Sequence, residues 1–263
     1  MHKIWRNGVF QPDERDPALI PADAVYETLR THGEAICELE AHLSRLENSA
    51  TALSIPLPSL DLLAEELRGA AGPNVVLRLI LHTDGTRIMH RRPVHPPKWG
   101  RAIHLATWVD PGDGPPGFAK HGRRQRWEAA REAAGVDEIL RVDPDGLVLE
   151  AGRSSVFAVV DGVLRTPPLD GRILPGITRH TAITLMRDLG MKVEQRGIPR
   201  EFLYIADEVF FTGTAAEITP IRAIDKIQIG AGERGPITAQ IQDAFFKVIR
   251  AEVEDEHGWL TFV

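Results

Sequence analysis

Eight residues, Asp110-Pro-Gly-Asp-Gly-Pro-Pro-Gly117, hold three prolines and three glycines. Neither a helix nor a central strand runs through such a segment. Proline supplies no amide donor, and glycine loses the most backbone freedom when it is fixed. The run therefore cuts the chain into an N-terminal domain, 1–110, a linker, 111–117, and a C-terminal domain, 118–263. It also matches a G-x-G-x-x-G dinucleotide fingerprint after a strand. That reading is rejected, because Pro115 and Pro116 lack N–H groups where a pyrophosphate needs donors.

On either side the elements are short and mixed. Lys3–Trp5 reads as a strand before an Asn7-Gly8 turn. Leu39, Leu43, Leu46, Ala50 and Leu53 recur at steps of three and four, which predicts a helix from about Glu38. A second helix covers roughly Leu60–Arg68, and strands are expected at Val75–Leu81, Arg87–Arg92 and Ala102–Val109. After the linker come a helix over about Arg123–Ala134 and hairpin turns near Gly146 and at Asp161-Gly162. A helix over Thr178–Leu189 ends at Gly190. Strands near Met191–Gln195, Glu208–Thr212 and Ile218–Ile224 precede a last helix, about Pro236–Glu252. Strands and helices do not alternate strictly, which favours α+β over a doubly wound sheet.

Composition narrows the function. The chain has 263 residues, 43% of them hydrophobic, so it can bury a real core. Its 31 basic and 37 acidic side chains give a net charge of −6, which argues against a nucleic-acid surface. No apolar stretch reaches the roughly 20 residues of a membrane span, and no signal peptide is visible, so a cytoplasmic protein is expected. Cys37 is the single cysteine, and the ten histidines show no metal-ligand spacing, so no metal is expected.

Five features offer chemistry. Lys120, flanked by Phe118 and Ala119, becomes a nucleophilic amine if an apolar pocket desolvates it, and is otherwise a surface lysine. Gly176-Ile-Thr-Arg179 opens a helix and presents free amides suited to a phosphate, unless Thr178 is only an N-cap. Thr212-Gly-Thr-Ala-Ala216 follows an apolar strand and allows a ligand close to the backbone. Glu150 ends a strand, where a carboxylate can hold a proton on a heterocyclic nitrogen. Arg45 lies one helical turn from His42 and can meet phosphate charge. A solvated side chain is the alternative for both.

In this order the motifs resemble the class IV, fold-type IV pyridoxal-phosphate enzymes: branched-chain aminotransferases, D-amino-acid transaminases and aminodeoxychorismate lyases. The resemblance runs from Ala24-Val-Tyr-Glu-Thr-Leu-Arg30 and His42-Leu-Ser-Arg-Leu46 through Lys120 and Gly146-Leu-Val-Leu-Glu150. It continues through Leu174-Pro-Gly-Ile-Thr-Arg179 and Ala206–Pro220 to His257-Gly-Trp259. The block 206–220 looks most like bacterial branched-chain enzymes.

The resemblance implies a two-domain α+β fold, with a small N-terminal domain and a larger C-terminal pseudo-barrel domain. It implies pyridoxal 5'-phosphate as cofactor, held through a Schiff base by Lys120, which also shuttles the substrate proton. Glu150 would pair with the pyridine nitrogen. Arg45, Thr214 and the amides of Ile177 and Thr178 would hold the phosphate, with Ser154 also at the cofactor. The Thr214-Ala215 turn would present amides to a substrate carboxylate. Tyr26, Arg30, Arg78, Arg87 and Arg153 are the further candidates for substrate contacts, Arg78 matching an arginine that meets the distal carboxylate of glutamate. A homodimer acting on amino acids and 2-oxo acids is expected, with neither nucleic acid nor membrane as partner.

Some positions depart from the pattern. Gly-Asp-Gly is replaced by Ala22-Asp-Ala24, and a tyrosine five residues after the lysine by Gln125, whose task Arg124 is placed to assume. An asparagine is replaced by Ser155, and Arg153 stands where a small residue is usual. Transamination is therefore the function expected. Pyruvate elimination by an aminodeoxychorismate lyase is the alternative, and a cofactor-binding protein without activity is a third reading.

Overall fold

The computed structural model describes residues 2–12, 20–94 and 103–254; of 103, 104, 124, 125 and 250–254 it describes the backbone alone. The motif His257-Gly-Trp259 lies outside the described residues. By packing, the chain divides into two units. One comprises Met1–His95, Phe118–Gln125 and Lys247–Val263, the other Pro96–Gly117 and Arg126–Phe246. The Gly/Pro segment 111–117 thus groups with the second unit, and the segment carrying Lys120 with the first. Both units mix helices with sheet, the α+β class read from the sequence.

The first unit holds strands β1 (Lys3–Arg6), β2 (Val9–Gln11), β3 (Val25–His32) and β4 (Ala35–Ile36). Helices α1 (Leu39–Ala52) and α2 (Leu60–Ala70) follow, then strands β5 (Val75–Leu81) and β6 (Arg87–Pro93). Among the described residues the sheet runs β2-β1-β6-β5-β3-β4. Side chains alternate across it. Val25, Leu29, Leu77, Leu79, Leu81 and Met89 pack against Leu39, Leu43, Leu46, Leu63 and Leu67 of the two helices. Removing each such leucine from water stabilises the unit by about 1.5–3 kcal/mol, so this face sets the register. The other face carries Tyr26, Thr28 and Arg30, opposite Ile80, Arg78 and Val76.

The second unit holds β7 (Ile103–Val109), α3 (Gln125–Ala134), β8 (Glu138–Val142), β9 (Val148–Ala151), β10 (Ser155–Val160) and β11 (Val163–Thr166). It continues with α4 (Ile177–Asp188), β12 (Val193–Gln195), α5 (Arg200–Tyr204), β13 (Glu208–Gly213), β14 (Glu217–Ile224), β15 (Ile227–Gln228) and α6 (Pro236–Glu254). Gln125, which opens α3, and the residues of α6 from Lys247 onward group with the first unit. Among the described residues its sheet runs β12-β11-β10-β13-β14-β7-β8-β9, with β15 on β14. The pairs β14·β7, β7·β8 and β11·β12 are parallel. Asp161 and Gly162, both at positive φ, turn β10 into β11 as the Asp-Gly signal predicts. Phe157 and Phe210 stack at 5.1 Å in a core that Ile183 and Met186 of α4 and Ile241 of α6 complete.

Candidate active site

Helix α1 buries two stripes. Its leucines meet the sheet, and His42, Arg45 and Ser49, spaced three and four apart, form the second. Facing them is Glu27, which alternation places among the inward residues of β3. Arg45 donates from Nε to Glu27 Oε1 and from Nη2 to Oε2, each at 2.8 Å. His42 donates from Nδ1 to Oε2, also at 2.8 Å. Burial pushes the Glu27 carboxyl up, but Arg45 and His42 outweigh it and hold it well below the usual carboxylate range. Burial also lowers His42, more than Glu27 raises it. The cluster is an ionised carboxylate clamped by a guanidinium and a neutral imidazole.

Lys120 stands beside this cluster. Its amide donates to Ser49 Oγ at 3.0 Å, and its carbonyl accepts from the Tyr26 amide at 3.0 Å. His121 bridges to Val25, and the Gly122 amide donates to the Ala24 carbonyl at 2.9 Å. The segment is thereby sewn along the start of β3. A Cβ on Gly122 would stand 1.8 Å from the Pro21 carbonyl oxygen, so only glycine fits. The half-buried lysine carries Nζ 4.9 Å from the centre of the Tyr26 ring. Tyr26, Arg30 and Arg78 share one sheet face, and Arg78 Nε is buried with no hydrogen-bond partner among the described residues. Arg87 lies on the opposite face, paired with Glu66 of α2 at 2.5 Å. The side chain of Arg124 lies outside the described residues.

The second unit carries the remaining candidates. Glu150, on β9, is 2% exposed. Its Oε1 accepts from Arg141 Nη1 at 2.7 Å and its Oε2 from the Leu174 amide at 3.2 Å. Three residues beyond Leu174, helix α4 begins. Its N-cap is Gly176, two residues before Thr178, and no side chain caps it. The amides of Ile177 and Thr178 therefore open the helix, at the end where its dipole favours an anion. A Cβ on Gly176 would meet Ser155 Oγ at 2.6 Å. Ser155 pairs directly with Thr212 across β10 and β13, so their hydroxyls share a face. Thr212 Oγ1 is buried without a hydrogen-bond partner among the described residues.

Thr214 and Ala215 form the turn between β13 and β14. Ser154 Oγ lies 3.0 Å from where a Cβ on Gly213 would be, which brings Ser154 to that turn. Arg153, 57% exposed, donates to Glu138 at 2.9 Å and lies 3.5 Å from Glu128. The first unit thus carries Lys120 against Tyr26, with Arg30 and Arg78 on the Tyr26 face of the sheet and Arg45 on the Glu27 face. The second gathers Glu150, Ser154, Ile177, Thr178, Thr214 and Ala215.

Glu27, Arg141 and Ser155 were not singled out as site residues by their sequence surroundings, whereas Thr212 opens the Thr-Gly-Thr-Ala-Ala motif. Arg141 alone left a signal, an arginine inside the buried strand Glu-Ile-Leu-Arg-Val, because buried charge requires a partner. Ser155, a lone serine at the start of a strand, carries none.

An amine sewn to a strand, an uncapped helix beside buried hydroxyls, and a buried carboxylate tied to the chain entering that helix form an uncommon set. Residues 24–224 match the family model for amino-transferase class IV. The chain is 49% identical over 126 residues to the branched-chain-amino-acid aminotransferase of Escherichia coli (strain K12), covering 48% of this chain and 41% of that one. The stretch in common thus spans about two fifths of that relative's length. It is 31% identical to a putative branched-chain-amino-acid aminotransferase of Methanocaldococcus jannaschii, over 92% of this chain and 95% of that one. The structure is similar, with a TM-score of 0.81 and 28% identity, to the branched-chain amino acid aminotransferase from Thermobaculum terrenum in its PLP-form. That likeness covers 97% of this chain and 95% of the other. With the family model spanning Ala24 to Ile224, and so Lys120, Glu150 and the start of α4, the chain belongs to the class IV aminotransferases.

Proposed function

We propose that the protein is a pyridoxal-phosphate-dependent aminotransferase, moving an amino group from an amino acid to a 2-oxo acid. The observation that carries this reading is the segment Leu174–Ile177. One end is hydrogen-bonded to the buried Glu150 and the other opens an uncapped helix beside Ser155 and the buried Thr212 hydroxyl, which has no partner among the described residues. Three residues of chain reach at most about 11 Å, the scale of a substituted pyridine bearing a phosphate. A carboxylate acceptor for the ring and an anion cradle for the phosphate are the donor set this cofactor requires. The residues fit it.

When bound, pyridoxal phosphate supplies a carbonyl carbon that condenses with amines and a ring that withdraws electrons from the substrate Cα. Glu150 accepts the hydrogen bond of the ring N–H. The Ile177 and Thr178 amides and the Ser155 and Thr212 hydroxyls hold the phosphate, with Thr214 and Arg45 adding donors. Lys120 Nζ would hold the cofactor through its carbonyl carbon and, as the nearby amine, would move the proton at the substrate Cα. The Tyr26 ring shields that amine from water. Arg30 and Arg78, on the same sheet face as Tyr26, bind and orient substrate carboxylates. A homodimer is the assembly this reading carries.

Borohydride reduction of the loaded protein followed by peptide mapping tests it. A phosphopyridoxyl group on Lys120, and no turnover by Lys120→Ala, are the expected results. A label on another lysine would overturn the assignment.

A further inference from the structure

We infer that Arg141 is a positioning residue, holding Glu150 in place for the ring nitrogen of the cofactor with Asp110 as its counter-charge. This rests on the aminotransferase reading and goes beyond it, since it assigns work to a residue outside the cofactor's own contacts.

Strand β8 lies inside the sheet between β7 and β9, and all five of its residues are buried. An arginine there costs several kcal/mol in desolvation unless its charge and donors are matched. They are matched on three sides. Nε donates to Asp110 Oδ2 at 2.8 Å, and Nη2 bonds the same oxygen. Nη1 donates to Glu150 Oε1 at 2.7 Å. The guanidinium carbon lies 4.1 Å from the centre of the Trp127 ring, which fixes its plane.

Asp110 is itself prepared. Its Oδ1 accepts from the Gly112 amide at 3.0 Å and from Arg126 Nη2 at 3.2 Å. Burial pushes its carboxyl up, and the Gly112 amide with Arg141 and Arg126 more than offsets this, so the group sits below its ordinary range. The glycine of the Gly/Pro segment thus has a task in the fold, because its amide reaches back to the aspartate that opens the run.

Two consequences follow for Glu150. Its Oε1 is tied to Arg141 and its Oε2 to the Leu174 amide, so rotamer and carboxylate plane are set before a ligand arrives. Such preorganisation lowers the cost of binding. An isolated guanidinium beside Glu150 would also repel a protonated ring nitrogen. Asp110, on the far side of the same guanidinium, opposes that repulsion. Arg141 therefore holds the carboxylate without discharging it.

The decisive probe is the ring nitrogen. Equilibrium dialysis measures the affinity of the wild type, Arg141→Gln, Arg141→Lys and Glu150→Gln for pyridoxal phosphate. The same proteins are tested with its 1-deaza analogue, in which carbon replaces that nitrogen. Wild type should bind pyridoxal phosphate more tightly than the analogue. Arg141→Gln should lose about tenfold for pyridoxal phosphate, the scale of one charged hydrogen bond, and be unchanged toward the analogue. Arg141→Lys should fall between, and Arg141→Gln should add nothing to Glu150→Gln. Should the glutamine variant fail to fold, the lysine variant carries the same comparison. Equal loss for both compounds, or no loss, makes Arg141 a packing residue and overturns the inference. A wild-type protein that binds neither compound overturns the cofactor reading itself, and this inference with it.

Discussion

Glu27 is one carboxylate with four donors around it: two from Arg45, one from His42 and its neighbour's Thr28 amide at 3.2 Å. Removing that charge breaks a buried ion pair, at a cost of about 3–5 kcal/mol. Glu27→Ala should therefore lower the urea midpoint of unfolding by that equivalent, whereas a loss under about 1 kcal/mol would show that the cluster relaxes around the gap. Glu150 behaves differently in this reading. Glu150→Gln keeps size and acceptor, so cofactor should still bind while turnover falls by orders of magnitude; near-wild-type rates would remove Glu150 from the mechanism. Lys120 and Glu150 were picked out as candidates from local motifs, a lysine after a Gly/Pro run and an acid near the end of a strand. Glu27 and Arg141 were not. Their partners are Arg45, eighteen residues away, and Asp110, thirty-one away, and no short-range pattern announces such pairs.

At the scale of elements, the same chemistry explains what the hydrophobic pattern hides. Strand β3 carries Glu27 on its inward face, and an acid in a core position erases the alternation that marks a half-buried strand. Yet β3 carries Tyr26 and Arg30 and receives the Lys120 segment. Strands β5 and β6 and helices α1 and α2, with ordinary apolar spacing, were legible to within a residue or two. Helix α4 was legible as well, its start falling one residue before the expected Thr178, because a glycine N-cap leaves no hydroxyl or carboxylate to mark it. Gly122→Ala should push the segment off β3, since its Cβ would fall on the Pro21 carbonyl. Expected is lost borohydride labelling at Lys120 with a folded far-UV spectrum; full labelling would mean that the Pro21 loop gives way. Thr212→Val removes a buried hydroxyl of nearly the same shape. Pyridoxal phosphate affinity should drop several-fold while pyridoxal without phosphate binds as before, and equal effects on both would place Thr212 away from the phosphate.

For the whole molecule, acidity is the first test. His32 is lowered to about 4 by burial and by the nearby Arg30, against about 6.5 in the unfolded chain. A depressed histidine takes up its proton later in the folded state, so its contribution is complete above pH 6.5 and is lost as pH falls toward 4. The urea midpoint should fall between pH 7 and pH 5, and His32→Gln should flatten that fall; an unchanged slope would exclude His32 as its source. Sedimentation tests the assembly, with a homodimer expected at twice the 29.1 kDa of the chain. Two units of mixed helix and sheet were foreseeable from the punctuation of the sequence. The grouping of Phe118–Gln125 with the first unit was not, because it depends on backbone hydrogen bonds from Lys120 and Gly122 to β3 rather than on composition. The most direct test of the chemistry is a single half-reaction. The pyridoxal-loaded protein is mixed with L-leucine or L-glutamate without any 2-oxo acid, and absorbance is followed while the products are counted. Transamination converts the bound cofactor to its pyridoxamine form and releases one 2-oxo acid per chain, after which the reaction stops until an acceptor is added. Unaltered cofactor with every amino acid offered, or repeated release of pyruvate from aminodeoxychorismate with the cofactor left in its pyridoxal form, would show a different enzyme.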